Sequence, residues 1–396
     1  MPHKITFAPL SYTGWGALSH LVDEVKKLGA SNILIVTDPF LVDLGIADKI
    51  TVPLKEQGWQ TSVYTGVVPE PPLAVGEKLV AYAKEHQFDL VIGLGGGSAL
   101  DLAKLAGVLA VHEGQVADYL NLTGSREVTR KGVPKILIPT TSGTGSEVTD
   151  ISVLSLGTTK DVVTHNYLLA EAAIVDPALT LSLPPKVTAA TGIDALTHAV
   201  ESYISVNANP VTDALALQAI RLISSSIRIA VQDGENREAR SGMSYGSYLA
   251  GLAFFNAGVA GVHALAYPLG GQFHISHGES NAVLLPYVMG YIRSSCEKRM
   301  KDILEAMGVG SNHLSLTDAS YQCVNELQRL VADVNIPLDL RGFGITEEAL
   351  ASLADDGIKQ QRILARSPMP LEREDIYAIY RAAFDGKITE QKKTLT

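Results

Sequence analysis

Short apolar runs alternate with amphipathic stretches through the first 185 residues of the chain. Residues 17–28 and 73–85 repeat their apolar positions at the spacing of a helix. Strands alternating with helices are typical of a parallel sheet that is covered by helices on both faces. The pattern therefore predicts an α/β domain with a doubly wound parallel sheet. Its strands are expected at residues 33–36, 62–64, 90–94, 135–138 and 172–175.

The pattern changes at the consecutive prolines Pro184 and Pro185, which interrupt regular structure. Beyond them the strand pattern almost disappears, and long helical patterns take its place. We therefore predict two domains, an α/β domain at residues 1–185 and an all-helical domain at residues 186–396. The clearest helical patterns lie at residues 209–230, 240–255, 296–307 and 319–334.

Composition narrows the class of protein. A chain of 396 residues exceeds one typical core, and 46% hydrophobic with 19% charged residues describes a globular protein. The formal net charge of −10 disfavours nucleic acid or an anionic membrane as the main partner. Cys296 and Cys323 form no metal or redox motif and fit a reducing cytoplasm. We also expect no window that is long and apolar enough to span a bilayer.

A glycine-rich loop at residues 93–101 follows a predicted strand and opens a predicted helix. Gly95, Gly96 and Gly97 allow the backbone to approach a phosphate, and free N–H groups at a helix N-terminus favour an anion. Ser98 stands where the usual dinucleotide-binding pattern has its third glycine. A tight strand-to-helix turn with Ser98 near the helix cap is the alternative interpretation.

A second loop, at residues 139–147, is unusually rich in hydroxyl groups and glycines and also follows a strand. It can donate several hydrogen bonds to phosphates or a ribose, although a flexible polar turn is the alternative. Two such loops at strand ends of one sheet can meet where α/β proteins bind nucleotides. Asp38, at the end of another strand, can accept hydrogen bonds from an adenosine ribose and repel a 2′-phosphate, which favours NAD over NADP. Because Asp38 precedes Pro39, a turn-initiating aspartate is equally compatible.

Four residues of the kinds that bind metal ions lie in two segments of the predicted helical domain. Asp194 and His198 are four residues apart, so a helix places them on one face. His263 and His277 could complete a set of three nitrogens and one oxygen, which suits Fe(II) or Zn(II) better than Mg(II) or Ca(II). Such an ion lowers the pKa of a bound alcohol or water and polarises a carbonyl. The alternative is a surface pair on the helix with structural histidines elsewhere.

Taken together, these motifs resemble the iron-containing (group III) alcohol dehydrogenases, relatives of the glycerol dehydrogenases and dehydroquinate synthases. The resemblance rests on residues 95–101, 139–147, 190–201 and 263–278, in the family's order, and extends to residues 376–380. It implies a Rossmann-like first domain and a dehydroquinate synthase-like architecture. It also implies NAD-dependent hydride transfer between a primary alcohol and its aldehyde, in a homodimer or higher homo-oligomer.

The resemblance assigns roles to three groups of residues. Phe254 would lie beside the substrate, with a plain core aromatic as the alternative. The metal ligands, for Fe(II) or alternatively Zn(II), would be Asp194, His198, His263 and His277. The NAD site would comprise Asp38, Gly95, Gly96, Gly97, Ser98, Asp101, Thr140, Thr141, Thr144 and Lys160.

One position departs from the family pattern. Many relatives carry a second histidine, a suspected proton relay, where this chain has Tyr267. A phenol titrates far above neutrality, so it is a poorer proton shuttle at pH 7 than an imidazole. Either His274 or water then carries the proton, or the pH optimum lies higher, or the substrate differs from short alcohols. Tyr267 and His274 are therefore both candidate catalytic residues.

Three other functions compete with alcohol oxidation. A hydroxy-acid or oxo-acid dehydrogenase would use the same motifs. A dehydroquinate synthase-like lyase needs several basic residues to hold a phosphorylated substrate, and we find no such set at residues 194–277. A non-catalytic scaffold on the same fold is disfavoured by the intact set of four candidate ligands.

Overall fold

The structure is a computed structural model and describes residues 3–157 and 159–389. The described chain divides into two compact units. One unit is Thr6–Ser182, and the other comprises residues 183–389 together with residues 3–5.

The first unit is built on a parallel sheet of six strands. The strands of this unit are β1 (Ser11–Thr13), β2 (Asn32–Val36), β3 (Gln60–Tyr64), β4 (Leu90–Gly95), β5 (Lys135–Pro139), β6 (Ile151–Leu156), β7 (Thr159–Thr164) and β8 (Ala172–Val175). The order of strands in the six-stranded sheet is β1-β8-β5-β4-β2-β3, and strands β6 and β7 form a separate antiparallel hairpin. The helices are α1 (Leu21–Leu28), α2 (Pro39–Asp43), α3 (Asp48–Glu56), α4 (Leu73–His86) and α5 (Gly97–Leu109).

Successive side chains of the sheet enter two different apolar cores. Leu34 packs in a core with Leu79 of α4, whereas its neighbour Ile35 packs in a core with Val25 of α1. A strand that is covered on both faces can be apolar at nearly every position, as β2 is after Asn32 and β4 is along its length. The predicted doubly wound parallel sheet is therefore confirmed.

All five predicted strands are present, but the sequence did not predict β1 or the β6–β7 hairpin. β1 has only three residues and none of them is buried. β7 begins with polar residues, among them Lys160 and Asp161, whose side chains are nevertheless buried. Neither segment shows the apolar run that identifies a central strand.

The second unit is helical and surrounds one large apolar core. Its helices are α6 (Pro185–Ile204), α7 (Pro210–Gln232), α8 (Arg237–Ala257), α9 (Gly261–Phe273), α10 (His277–Ile292), α11 (Glu297–Ala306), α12 (Leu316–Asp333), α13 (Ala349–Gly357), α14 (Gln361–Leu364) and α15 (Arg373–Asp385). Other parts of the unit cover helix α6 on almost all sides. Nearly every residue of α6 from Thr188 onward is buried, including the side that carries Asp194 and His198.

Helix α7 is long and largely apolar. By length and composition alone it could cross a membrane, and the pair α8 and α9 would pass the same test only as one span bent by 104°. Helix α7 carries Asp213, Arg221 and Arg228, so it is not an uncharged apolar window of the kind that the sequence was expected to lack. Half of the α7 window is buried inside the unit, where Ile220, Ile223 and Ile227 join the apolar core, so the helix has the surroundings of a core helix.

Candidate active site

Three helices bring the four candidate metal ligands together. Helix α6 holds Asp194 and His198 one turn apart, α9 carries His263 in its first turn, and α10 begins at His277. One ligand atom from each residue lies within 4.8 Å of the others. Asp194, His198 and His263 are buried, and His277 is partly buried. The cluster that the sequence suggested from two distant segments therefore exists in the fold.

The orientation of the histidines fits a cation. His263 Nε2 lies 3.0 Å from His198 Nε2, and the other nitrogen of His263, Nδ1, lies 2.6 Å from Glu201 Oε2. Because an ionised carboxylate only accepts hydrogen bonds, it favours the tautomer with the proton on Nδ1. The lone pair of His263 Nε2 then points into the cluster, as in carboxylate–histidine–metal arrangements.

The charges of the cluster also fit a divalent ion. Asp194 and Glu201 are both buried, and Asp194 Oδ1 lies 3.6 Å from His277 Nε2 and 3.7 Å from His263 Nε2. Burial acts to raise the pKa of Asp194, but the nearby histidines and a hydrogen bond from Asn281 outweigh it, so this pKa is lowered. Two buried carboxylates without a cation would be costly, and a divalent ion balances both charges.

Two residues at this centre had no role in the sequence analysis. The Glu201 carboxylate accepts from the Val262 N–H at 2.6 Å as well as facing His263. The Asn281 Nδ2 atom donates to Asp194 Oδ1 at 2.7 Å. Their spacing was the available signal, because Glu201 follows His198 by three residues and Asn281 follows His277 by four, which are same-face spacings on a helix.

The aromatic candidates differ in their distance from this centre. The Phe254 ring stacks on the His198 ring, with centroids 4.4 Å apart and planes inclined by 19°. The Tyr267 ring centroid lies 6.0 Å from that of His277. His274 is exposed and caps the C-terminal end of α9. Phe254 and Tyr267 therefore each lie beside a histidine of the candidate ligand cluster.

The two glycine-rich loops of the first unit touch each other, as the sequence predicted. The Thr140 N–H donates to the Gly95 carbonyl at 2.9 Å. A Cβ atom on Gly97 would lie 2.7 Å from Cγ2 of Thr144, and one on Gly96 would lie 3.4 Å from Cγ2 of Thr141. At Gly97, therefore, only a residue without a side chain lets the loops approach this closely, and the N-terminus of α5 opens beside them.

Asp38 and Ser98 adjoin these loops. Asp38 caps α2, because its Oδ1 accepts from the Leu41 N–H at 3.0 Å, while its Oδ2 would lie 3.7 Å from a Cβ on Gly95. Asp38 is thus a helix cap whose second oxygen faces the loop. Ser98 lies in the first turn of α5, and its Oγ accepts from the Glu70 N–H at 3.2 Å.

Asp101 and Lys160, the other residues assigned to the cofactor, are held by protein partners. The Asp101 carboxylate pairs with buried Lys104 at 2.9 Å, and it accepts from Ser146 Oγ at 2.5 Å and from the Val153 N–H at 2.9 Å. It therefore ties α5 to the segment that follows the second loop. Lys160 Nζ lies 3.1 Å from Glu70 Oε2.

Comparison with known proteins agrees with both units. Residues 9–177 match the model of the iron-containing alcohol dehydrogenases, and residues 188–384 match the C-terminal model of the same family. The chain is 69% identical over 390 residues to long-chain-alcohol dehydrogenase 1 of Geobacillus thermodenitrificans, covering 98% of this chain and 99% of that one. It is 40% identical to 1,3-propanediol dehydrogenase of Citrobacter freundii, covering 95% and 97%. A crystal structure of a 1,3-propanediol oxidoreductase superposes with a TM-score of 0.93 at 38% identity, covering 97% and 100%.

The fold and the cluster define a metal-dependent oxidoreductase with an α/β unit and a helical unit. The chain belongs to the iron-containing alcohol dehydrogenase family. Its reaction is the transfer of hydride between an alcohol, or the corresponding aldehyde, and NAD(H), with iron as the family's metal.

Proposed function

We propose that this enzyme oxidises long-chain primary alcohols and reduces the corresponding aldehydes. The observation that carries the proposal is the convergence of Asp194, His198, His263 and His277 in a chain of this family. The relative at 69% identity is a long-chain-alcohol dehydrogenase, which supports the substrate class.

The four converging residues are proposed to hold Fe(II), with Zn(II) as the alternative ion. When bound, the ion polarises the substrate oxygen and stabilises negative charge on it. Phe254 stacks on the ligand His198, so it is proposed to lie along the carbon chain of the substrate. Tyr267 is proposed to lie beside the reacting oxygen and to pass its proton to water or to His274.

The touching loops of the first unit are proposed to bind NAD(H). Thr140, Thr141 and Thr144, with Ser98 and the glycines at the start of α5, offer donors for its phosphates. The free side of the Asp38 carboxylate would accept from the adenosine ribose and repel NADP. Lys160 is proposed to contact the cofactor directly, and Asp101 to act on it by fixing the loops.

The proposed function also implies a division of roles between the two parts of the chain. Residues 1–185 are proposed as the dinucleotide-binding domain and residues 186–396 as the metal- and substrate-binding domain. A cytoplasmic homodimer is proposed from the reducing-environment cysteine usage and from the resemblance. A hydroxy-acid or oxo-acid dehydrogenase is the competing function, since one relative, at 37% identity, is a sulfoacetaldehyde reductase.

The test is NADH formation by chelator-stripped protein after addition of Fe(II), Zn(II) or no metal. The substrates are primary alcohols of increasing chain length, 1,3-propanediol and ω-hydroxy acids. We expect metal-dependent activity that increases with chain length and is lost in His198→Ala, whereas His313→Ala in a loop of the same unit retains it. Preference for hydroxy acids would overturn the substrate class. Equal activity with and without metal would overturn the metal mechanism.

A further inference from the structure

We propose that Asn281 is a positioning residue that orients Asp194 toward the metal ion and thereby sets metal affinity; the inference rests on the proposed ligand set. Asn281 lies on α10, one turn after His277, and is completely buried. Its Nδ2 atom lies 2.7 Å from Asp194 Oδ1. A carboxylate turns readily about its last side-chain torsion, and a fixed donor removes that freedom.

The position of the amide makes it central to the cluster. Nδ2 also lies 3.2 Å from His263 Nε2 and 3.2 Å from His277 Nε2, so Asn281 contacts three of the four proposed ligands. A primary amide nitrogen has two hydrogens, and the carboxylate is the nearest and strongest acceptor among these partners. Asn281 therefore connects the ligand on α6 with those on α9 and α10.

The other end of the amide argues against a purely structural role. In the described part of the chain, Asn281 Oδ1 is buried and has no hydrogen-bond partner. A buried amide oxygen without a partner destabilises the folded protein. A residue that served only the stability of α10 would be replaced at little loss by an apolar side chain of similar size. The contact with Asp194 is the feature that such a replacement would remove.

The test measures metal binding rather than turnover. Asn281→Leu keeps the size of the side chain and removes the donor, and Ser280→Ala is the matched control. Ser280 is an equally buried neighbour on α10 whose hydroxyl donates to the Ile275 carbonyl. Each chelator-stripped protein is titrated with Zn(II) against a chromophoric chelator, and its thermal midpoint is measured with and without Zn(II).

We expect Asn281→Leu to weaken Zn(II) binding by about 10- to 100-fold, as loss of an outer-shell partner does. The midpoint of its stripped form should stay the same or rise, and Ser280→Ala should bind Zn(II) like the unchanged protein. Unchanged Zn(II) affinity in Asn281→Leu would overturn the inference, as would a large loss of midpoint in its stripped form. If Asn281→Leu does not fold, Asn281→Ser, which keeps a smaller donor, must show intermediate affinity.

A third variant separates this inference from the proposed function. Asp194→Ala should lose nearly all Zn(II) binding if Asp194 is a ligand. Zn(II) binding by Asp194→Ala equal to that of the unchanged protein would refute the ligand set itself. Loss in Asp194→Ala with no change in Asn281→Leu would refute only the role of Asn281.

Discussion

Replacement of Glu201 by glutamine is expected to weaken metal binding although Glu201 is not a proposed ligand. The Glu201 carboxylate is completely buried, and its two oxygens accept from the Val262 N–H and face His263 Nδ1, each at 2.6 Å. Glutamine has nearly the same shape but only one acceptor oxygen and a donating NH₂ group. One of the two contacts must therefore face the NH₂ group instead of an acceptor oxygen.

The magnitude follows from these two contacts. If the glutamine oxygen pairs with the Val262 N–H, its NH₂ group faces His263 Nδ1 and favours the tautomer with the proton on Nε2, the nitrogen that points into the cluster. Loss of such a partner typically costs about 10- to 100-fold in metal affinity, which corresponds to about 1.4–2.7 kcal/mol. The variant also removes one of the two buried negative charges that balance a divalent ion.

The assay is a Zn(II) competition titration of chelator-stripped Glu201→Gln at fixed pH. Glu326→Gln is the control, because Glu326 lies on α12 and pairs with Arg228 and Arg329. We expect weaker binding only in Glu201→Gln. Binding indistinguishable from that of the unchanged protein would show that the Glu201–His263 contact does not govern the metal site.

Two further predictions concern the α/β unit. Gly97→Ala should weaken NADH binding, measured by fluorescence titration, because the new Cβ would lie 2.7 Å from Cγ2 of Thr144. The control Gly310→Ala should leave NADH affinity unchanged, because a Cβ there meets nothing within 4 Å. Equal NADH affinities of the two variants would contradict the close-approach argument. Burial raises the pKa of Glu147 from 4.5 to about 7, although its own backbone and Lys104 act to lower it. The folded state therefore holds this proton more tightly than the unfolded state, and the stabilisation is lost as pH rises from about 5 through 7, by roughly 3 kcal/mol at most. Denaturant midpoints at pH 5 and pH 8 should show a decline that is smaller in Glu147→Gln, and an equal decline would exclude Glu147 as its source.

The parallel sheet was predictable because its central strands contain continuous apolar runs. Runs such as residues 33–36 and 90–94 are buried on both faces, so burial alone marks them. The hairpin β6–β7 escaped prediction because its charged residues are paired inside the unit. Lys160 meets Glu70, and the Asp161 carboxylate accepts from the Leu122 N–H. Such partners come from distant parts of the chain and leave no local pattern.

The sequence by itself determined the pairing of Asp194 with His198, because the period of a helix fixes which residues share a face. It also determined where the two loops follow their strands, since apolar runs and glycines are local signals. Tertiary structure decided that α9 and α10 bring His263 and His277 to α6, and that Glu201 and Asn281 complete the surroundings of the cluster. It also brought the Ser146 hydroxyl and the Val153 N–H to the Asp101 carboxylate, whereas the Asp101–Lys104 pair follows from a three-residue spacing on α5. Local periodicity fixes neighbours along one element, whereas contacts between elements depend on how whole helices pack.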